Sequence, residues 1–135
     1  MNLTFLLNPL LILLTLSPSV PNSNSEITFD TYVHSFGEIL PNSNNKYTFR
    51  FTNTGKNVLQ IYRIRTGCSC IETNLSGQIF KPGETGSIII NFNPEDSTGK
   101  ITRWIYVYAN TPERSTTLEI TATILTNKSK DKNND

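Results

Sequence analysis

The segment from Tyr47 to Thr52 constrains the fold most, because aromatic and polar side chains alternate along it without a break. Successive side chains of a β-strand point to opposite faces, so this pattern predicts one aromatic face and one polar face. From Ile27 onward, similar short runs alternate with turn residues at intervals of about ten residues, as in a sandwich or barrel. The chain is therefore predicted to be all-β.

Within this pattern we predict an immunoglobulin-like β-sandwich of about seven antiparallel strands. The first strand is predicted over residues 27–33, and it continues over residues 36–40 after a break at His34 and Ser35. A slip in the alternation between Ile61 and Ile64 indicates a β-bulge. The segment 81–84, Lys-Pro-Gly-Glu, predicts a type II turn with glycine at its third position.

The two ends of the chain differ in composition from this middle part. Residues 3–16 carry no charged side chain and are too few to span a bilayer, which predicts a signal peptide cleaved between Ser19 and Ser25. The polar end, NKSKDKNND, has too little apolar surface to fold. We thus expect a signal peptide and linker over residues 1–25, a sandwich domain over residues 26–126 and a disordered tail over residues 127–135.

The same features predict the compartment and some of the partners. A signal peptide without a later membrane span indicates a protein exported to the periplasm, the cell envelope or the medium. The formal net charge is +1, from 12 basic and 11 acidic side chains spread along the chain. No basic field results that could hold a phosphate backbone, so nucleic acid is not an expected partner.

Several motifs occur in an order that is familiar from one bacterial family. They are FGEI at residues 36–39, YTFRFTNTG at 47–55, LQIYRI at 59–64, GCSC at 67–70 and KPGETGSIIINFNP at 81–94. The chain resembles the domain-of-unknown-function 1573 family, and the resemblance implies export and an immunoglobulin-like fold related to major-sperm-protein and ASH domains. The family usually reads Ser-Cys-Gly-Cys-Thr where this chain has Gly-Cys-Ser-Cys-Ile. It has no established activity, so the resemblance supplies no function.

Cys68 and Cys70 are the only reactive pair in the sequence. In an extended segment their Cα atoms would lie about 6.5 Å apart, near the upper limit for a disulfide, so a bridge requires a tighter backbone. The favoured interpretation is a pair of packed thiols or a passive local disulfide. A redox pair is one alternative, and a soft-metal site is another, in which His34, the only histidine, would supply a third ligand.

The catalytic inventory indicates that the protein is not an enzyme and needs no cofactor. No nucleophile and base are paired in the sequence, and one histidine would have to serve any triad. Glu95 and Asp96 fall in a predicted loop as solvated turn residues. The segment 81–86, KPGETG, lacks the strand-to-helix context and the terminal Gly-Lys-Ser/Thr of a phosphate loop.

Trp104, Tyr106 and Tyr108 form a second apolar face on a strand that already carries Ile105 and Val107. With Tyr62, these rings are either an interface or the second half of the core. We expect an exported, non-enzymatic module that binds another envelope or secreted protein, through strand edges or through an exposed sheet face. The alternatives are the thiol redox or metal-handling role and, as a weaker one, carbohydrate binding by the aromatic rings.

Overall fold

A computed structural model describes residues 25–126, and every regular element in that range is a β-strand. The predicted signal peptide and the predicted tail therefore lie outside the described residues, apart from Ser25. The described residues form nine strands, which are, in order, β1 Ile27–Phe29, β2 Val33–Ile39, β3 Asn45–Asn53, β4 Leu59–Thr66, β5 Ile71–Thr73, β6 Gln78–Phe80, β7 Thr85–Phe92, β8 Gly99–Ala109 and β9 Ser115–Ile124. No helix of the described part of the chain is long and apolar enough to cross a membrane.

The strands form two sheets that pack face to face, which confirms the immunoglobulin-like sandwich. The four-stranded sheet has the order β1-β3-β7-β5, and the five-stranded sheet has the order β2-β9-β8-β4-β6. Residues 25–126 contain nine strands and not about seven, because the predicted first strand is divided and because β5 and β6 form in the connection that was predicted as a loop. Both β5 and β6 are only three residues long.

The break in the first predicted strand lies earlier than expected. The chain crosses between the sheets at residues 30–32, whereas the break was predicted at His34 and Ser35. Asp30 makes the last backbone hydrogen bond to the four-stranded sheet, donating to Arg50, and two residues later the carbonyl of Tyr32 accepts from Glu119 of β9. After this crossing the chain runs in the same direction as β9, so β2 pairs with β9 in parallel. The prediction that all strands are antiparallel was therefore wrong for this pair.

The core lies between the sheets and consists of the inward residues of the alternating runs. Its largest side chains that are under 2% exposed are Phe49, Phe51, Leu59, Ile61, Ile88, Ile90, Phe92, Ile105, Val107, Leu118, Ile120 and Ile124. Each buried side chain of this size contributes about 1.5–3 kcal/mol relative to an exposed one. The burial of both Ile105 and Val107 fixes β8 with its other face, which carries the three aromatic rings, turned outward.

Two predicted irregularities are confirmed. The register between β4 and β8 shifts between Ile61 and Arg63, which is the predicted bulge. The turn before β7 has Gly83 at φ 82°, and the amide of Glu84 donates to the carbonyl of Lys81 at 3.0 Å. A bulge places two consecutive residues opposite one, and here it brings Tyr62 and Arg63 beside Tyr108 on the outer side of the sheet.

Asn53 is a fully buried polar residue at the end of β3 that ties three segments together. Its side-chain amide donates to the carbonyls of Asn57 and Phe80, each at 2.9 Å. Its side-chain oxygen accepts from the amide of Gly55 at 3.0 Å. All three bonds satisfy backbone groups near the end of the sandwich, so the residue stabilises the turn that leads into β4.

Candidate functional site

The outer side of the five-stranded sheet carries the residues that we call the aromatic face: Tyr62, Trp104, Tyr106 and Tyr108. Trp104 is 47% exposed, Tyr106 36% and Tyr62 54%, whereas Tyr108 is half-buried. These rings therefore do not form a second half of the core. Large amphipathic rings exposed together on a sheet are typical of a binding surface.

Neighbouring side chains hold the aromatic face in place. The indole nitrogen of Trp104 donates to a carboxylate oxygen of Glu119 on β9 at 3.2 Å. On the other side of β8, the guanidinium of Arg63 lies over the ring of Tyr108, 4.7 Å from its centroid. Such a cation–π contact contributes about 0.5–1 kcal/mol at an exposed site and orients both groups. Contacts within the chain thus fix the orientation of Trp104 and Tyr108.

Arginines line one side of the aromatic face. Arg65 lies opposite Tyr106 in the pairing of β4 with β8, as Arg63 lies opposite Tyr108. Both arginines are exposed, and Glu119 lies across β8 from them, beside Trp104. Tryptophan, tyrosine and arginine are the residues most enriched among those that dominate protein–protein binding energy.

A pocket of about 520 Å³ opens at one end of the aromatic face. We call it the arginine pocket; its lining includes Tyr62, Arg63, Tyr108, Asn110, Thr111 and Arg114. Arg114 closes the tight turn between β8 and β9, with its amide donating to the carbonyl of Thr111 at 3.0 Å. The pocket is therefore lined by two arginines and two tyrosines.

Asn110, which lines this pocket, is held by several hydrogen bonds. Its side-chain amide donates to the carbonyl of Val58 at 2.9 Å, and its side-chain oxygen accepts from the amide of Gln60 at 2.8 Å. The hydroxyl of Ser25 donates to the carbonyl of Asn110 at 2.6 Å. These bonds join the turn after β8, which carries Arg114, to the start of β4, the strand that carries Arg63.

Cys68 and Cys70 form a disulfide in the turn between β4 and β5, where the chain passes from one sheet to the other. Their Cα atoms are 5.2 Å apart, so the backbone has tightened as a bridge requires. The turn is held by the amide of Asn93, which donates to the carbonyl of Cys70 at 2.9 Å. Both cysteines are half-buried and pack against the core.

The structure does not bring His34 to the cysteines. His34 lies on β2, which β9 and β8 separate from β4. Its ring stacks on Tyr47 at a centroid distance of 3.5 Å and meets the edge of Phe36 at 4.7 Å, and partial burial lowers its pKa. Within residues 25–126, no three histidine, cysteine, aspartate or glutamate side chains are grouped so that they could hold a metal ion.

Comparison with known proteins places the chain in a family. A family model described as "Protein of unknown function (DUF1573)" matches residues 27–124. The chain belongs to this family. The match covers the whole sandwich and confirms the resemblance drawn from the order of the motifs. No curated protein sequence matches the chain.

Solved structures confirm the fold. A protein of unknown function from Porphyromonas gingivalis W83 aligns with a TM-score of 0.68 and 15% identity, covering 78% of this chain and 50% of that protein. The chain thus spans about half the length of that relative. The ASH/PapD-like domain 7 of human CEP192 aligns at 0.61 with 10% identity over 93% of this chain and 96% of that one. The YadV chaperone aligns at 0.58 with 11% identity, over 77% of this chain and 54% of that one.

The arginines beside the aromatic rings were missed by sequence reasoning. Arg63 and Arg65 follow the bulge, whose position was predicted, so a register count from Ile61 could have placed them on the outer face. No local pattern indicates Arg114, because the turn between β8 and β9 brings it to the same pocket as Arg63. The sequence assigned Trp104 and Tyr106 correctly to one side of β8 but could not choose between interface and core.

Proposed function

We propose that this protein is a non-enzymatic, exported module of the cell envelope that binds another protein through the aromatic face. The observation that carries the proposal is the exposure of Trp104 and Tyr106 on an ordered sheet surface flanked by arginines. The predicted division into a signal peptide with linker, a sandwich domain and a polar tail is part of the same proposal.

The exposed sheet face is a better binding surface than the sheet edges. Three of the four edge strands, β1, β5 and β6, are three residues long, and the fourth, β2, shifts register against β9 between Ser35 and Glu38. Short or irregular edges offer few consecutive backbone groups to an added strand. The outer face of β8 and β4, in contrast, offers several large rings that are already positioned.

A photo-crosslinking residue placed at Thr117 tests this proposal in cells that produce the protein naturally. Thr117 is exposed and lies directly opposite Tyr106 on β9, so the aromatic rings stay intact. Asn91 is the matched control, because it is exposed on β7 in the other sheet. We expect a protein adduct of defined mass from position 117 and none from position 91.

The Trp104→Ser change in the position-117 variant should abolish the adduct, because it removes the central ring of the surface. Equal adducts from both positions, or an adduct that persists after Trp104→Ser, would overturn the proposal. A crosslink to a polysaccharide, and not to a second protein, would favour the carbohydrate-binding alternative.

A further inference from the structure

The arginine pocket has a charge pattern that specifies part of its ligand. Arg63 and Arg114 both line the pocket, and none of the described residues that line it carries a carboxylate. The ring of Tyr108 supports the Arg63 guanidinium from one side. A guanidinium presents its donors in a planar fork that matches the two oxygens of a carboxylate. The pocket is therefore complementary to an acidic group.

The backbone conformation of Arg114 also supports a binding role for its side chain. This residue has φ 62°, in the left-handed region that glycine and asparagine occupy far more readily than arginine. A glycine would close the turn with less strain. An arginine at this position is understandable if its side chain has a use that offsets the conformational cost.

We infer that the arginine pocket binds the carboxylate of an aspartate or glutamate side chain on the protein partner. This inference rests on the proposed function, because the pocket continues directly into the aromatic face through Tyr62 and Tyr108. The partner segment would place aromatic or aliphatic side chains on Trp104 and Tyr106 and an acidic side chain between Arg63 and Arg114. The charges of the acidic side chain and of the two arginines also make the affinity of the complex depend on ionic strength.

A titration followed by nuclear magnetic resonance tests the inference on the isotope-labelled protein. The probe is a short capped peptide of alternating glutamate and valine, and the matched probe replaces each glutamate with glutamine. We expect saturable shifts of the amides of Asn110 and Arg114 with the glutamate peptide only. Arg114→Gly and Arg63→Gln should each weaken binding about tenfold, the effect expected for loss of one charge-assisted hydrogen bond.

Two controls separate a specific pocket from general charge attraction. Arg50→Gln removes the same charge from the outer side of the four-stranded sheet, where Arg50 is exposed, and should change the affinity less than about twofold. Arg114→Gly also relieves the turn, so its weaker binding should come with unchanged or higher thermal stability. A structural explanation of the lost binding would predict lower stability instead.

Three results would overturn the inference: equal binding of the glutamine peptide, equal weakening by Arg50→Gln, or tighter binding of an oligoglucuronate than of the glutamate peptide. The last result would assign the pocket to an acidic glycan. The adduct from position 117 is independent of these arginine variants. If that adduct forms and no glutamate peptide binds, the carboxylate site fails while the protein-binding face stands.

Discussion

Reduction of the Cys68–Cys70 disulfide should cost little stability, and the size of the loss can be worked out from the loop that it closes. The bridge closes a loop of three residues, since the cysteines are two positions apart. In the chain-entropy description, the entropy lost by the unfolded chain is about 2.1 + 1.5R ln n cal/mol/K. For a loop of three residues this gives about 1.6 kcal/mol at 25 °C, below the 2–5 kcal/mol typical of disulfides in small secreted domains.

Urea unfolding of the oxidised and the reduced protein, followed by the fluorescence of Trp104, measures this loss. Trp104 is the only tryptophan, so the signal has one source. The double variant Cys68→Ala/Cys70→Ala is the control, because a reductant should leave its unfolding midpoint unchanged. A difference of more than about 3 kcal/mol between the two forms, or loss of the cooperative transition on reduction, would show that the disulfide holds the fold together and would refute this reasoning.

Three further predictions concern packing, a buried amide and pH. Gly86→Ala should lower the free energy of unfolding by about 1–3 kcal/mol, because a new Cβ would overlap the Phe51 ring. In Gly67→Ala the nearest atom to the new Cβ is 3.9 Å away, so the free energy of unfolding should change by no more than about 0.5 kcal/mol. Asn53→Ala should cost about 2–4 kcal/mol in a thermal melt, since three hydrogen bonds are lost; an unchanged melting temperature would contradict this. Since burial lowers the pKa of His34 below 6.5, the unfolded state binds more protons beneath that pH. Urea midpoints should therefore fall less between about pH 7 and about pH 5 in His34→Gln than in the wild type; equal falls would refute the assignment.

The fold could be predicted from the sequence because most strands carry a strict alternation. Phe49, Ile88 and Ile105 have polar or outward neighbours on both sides, and all three are fully buried. The bulge after Ile61 and the turn at Gly83 also follow from local patterns, since each depends on a few adjacent residues. These features are local, and the physical chemistry that determines them is contained in a short segment.

The features that were predicted wrongly or missed depend on contacts between distant segments. The crossing at residues 30–32 is set by the hydrogen bond from Glu119 to Tyr32, across more than half of the chain. The short strands β5 and β6 have no alternation of their own and form because β7 and β4 lie beside them. The arginine pocket likewise depends on residues far apart in the sequence, since Arg63 and Arg114 both line it.

Hydroxyl-radical footprinting of the protein in cells that produce it naturally and in purified form tests whether the aromatic face binds a partner. We expect Trp104, Tyr106 and Tyr62 to be modified in the purified protein and protected in the cells. Tyr32 is the internal reference, because it is 43% exposed and lies outside the aromatic face, so its modification should be the same in both samples. Equal modification of Trp104 in the producing cells and in the purified protein would contradict the proposed binding role of the aromatic face.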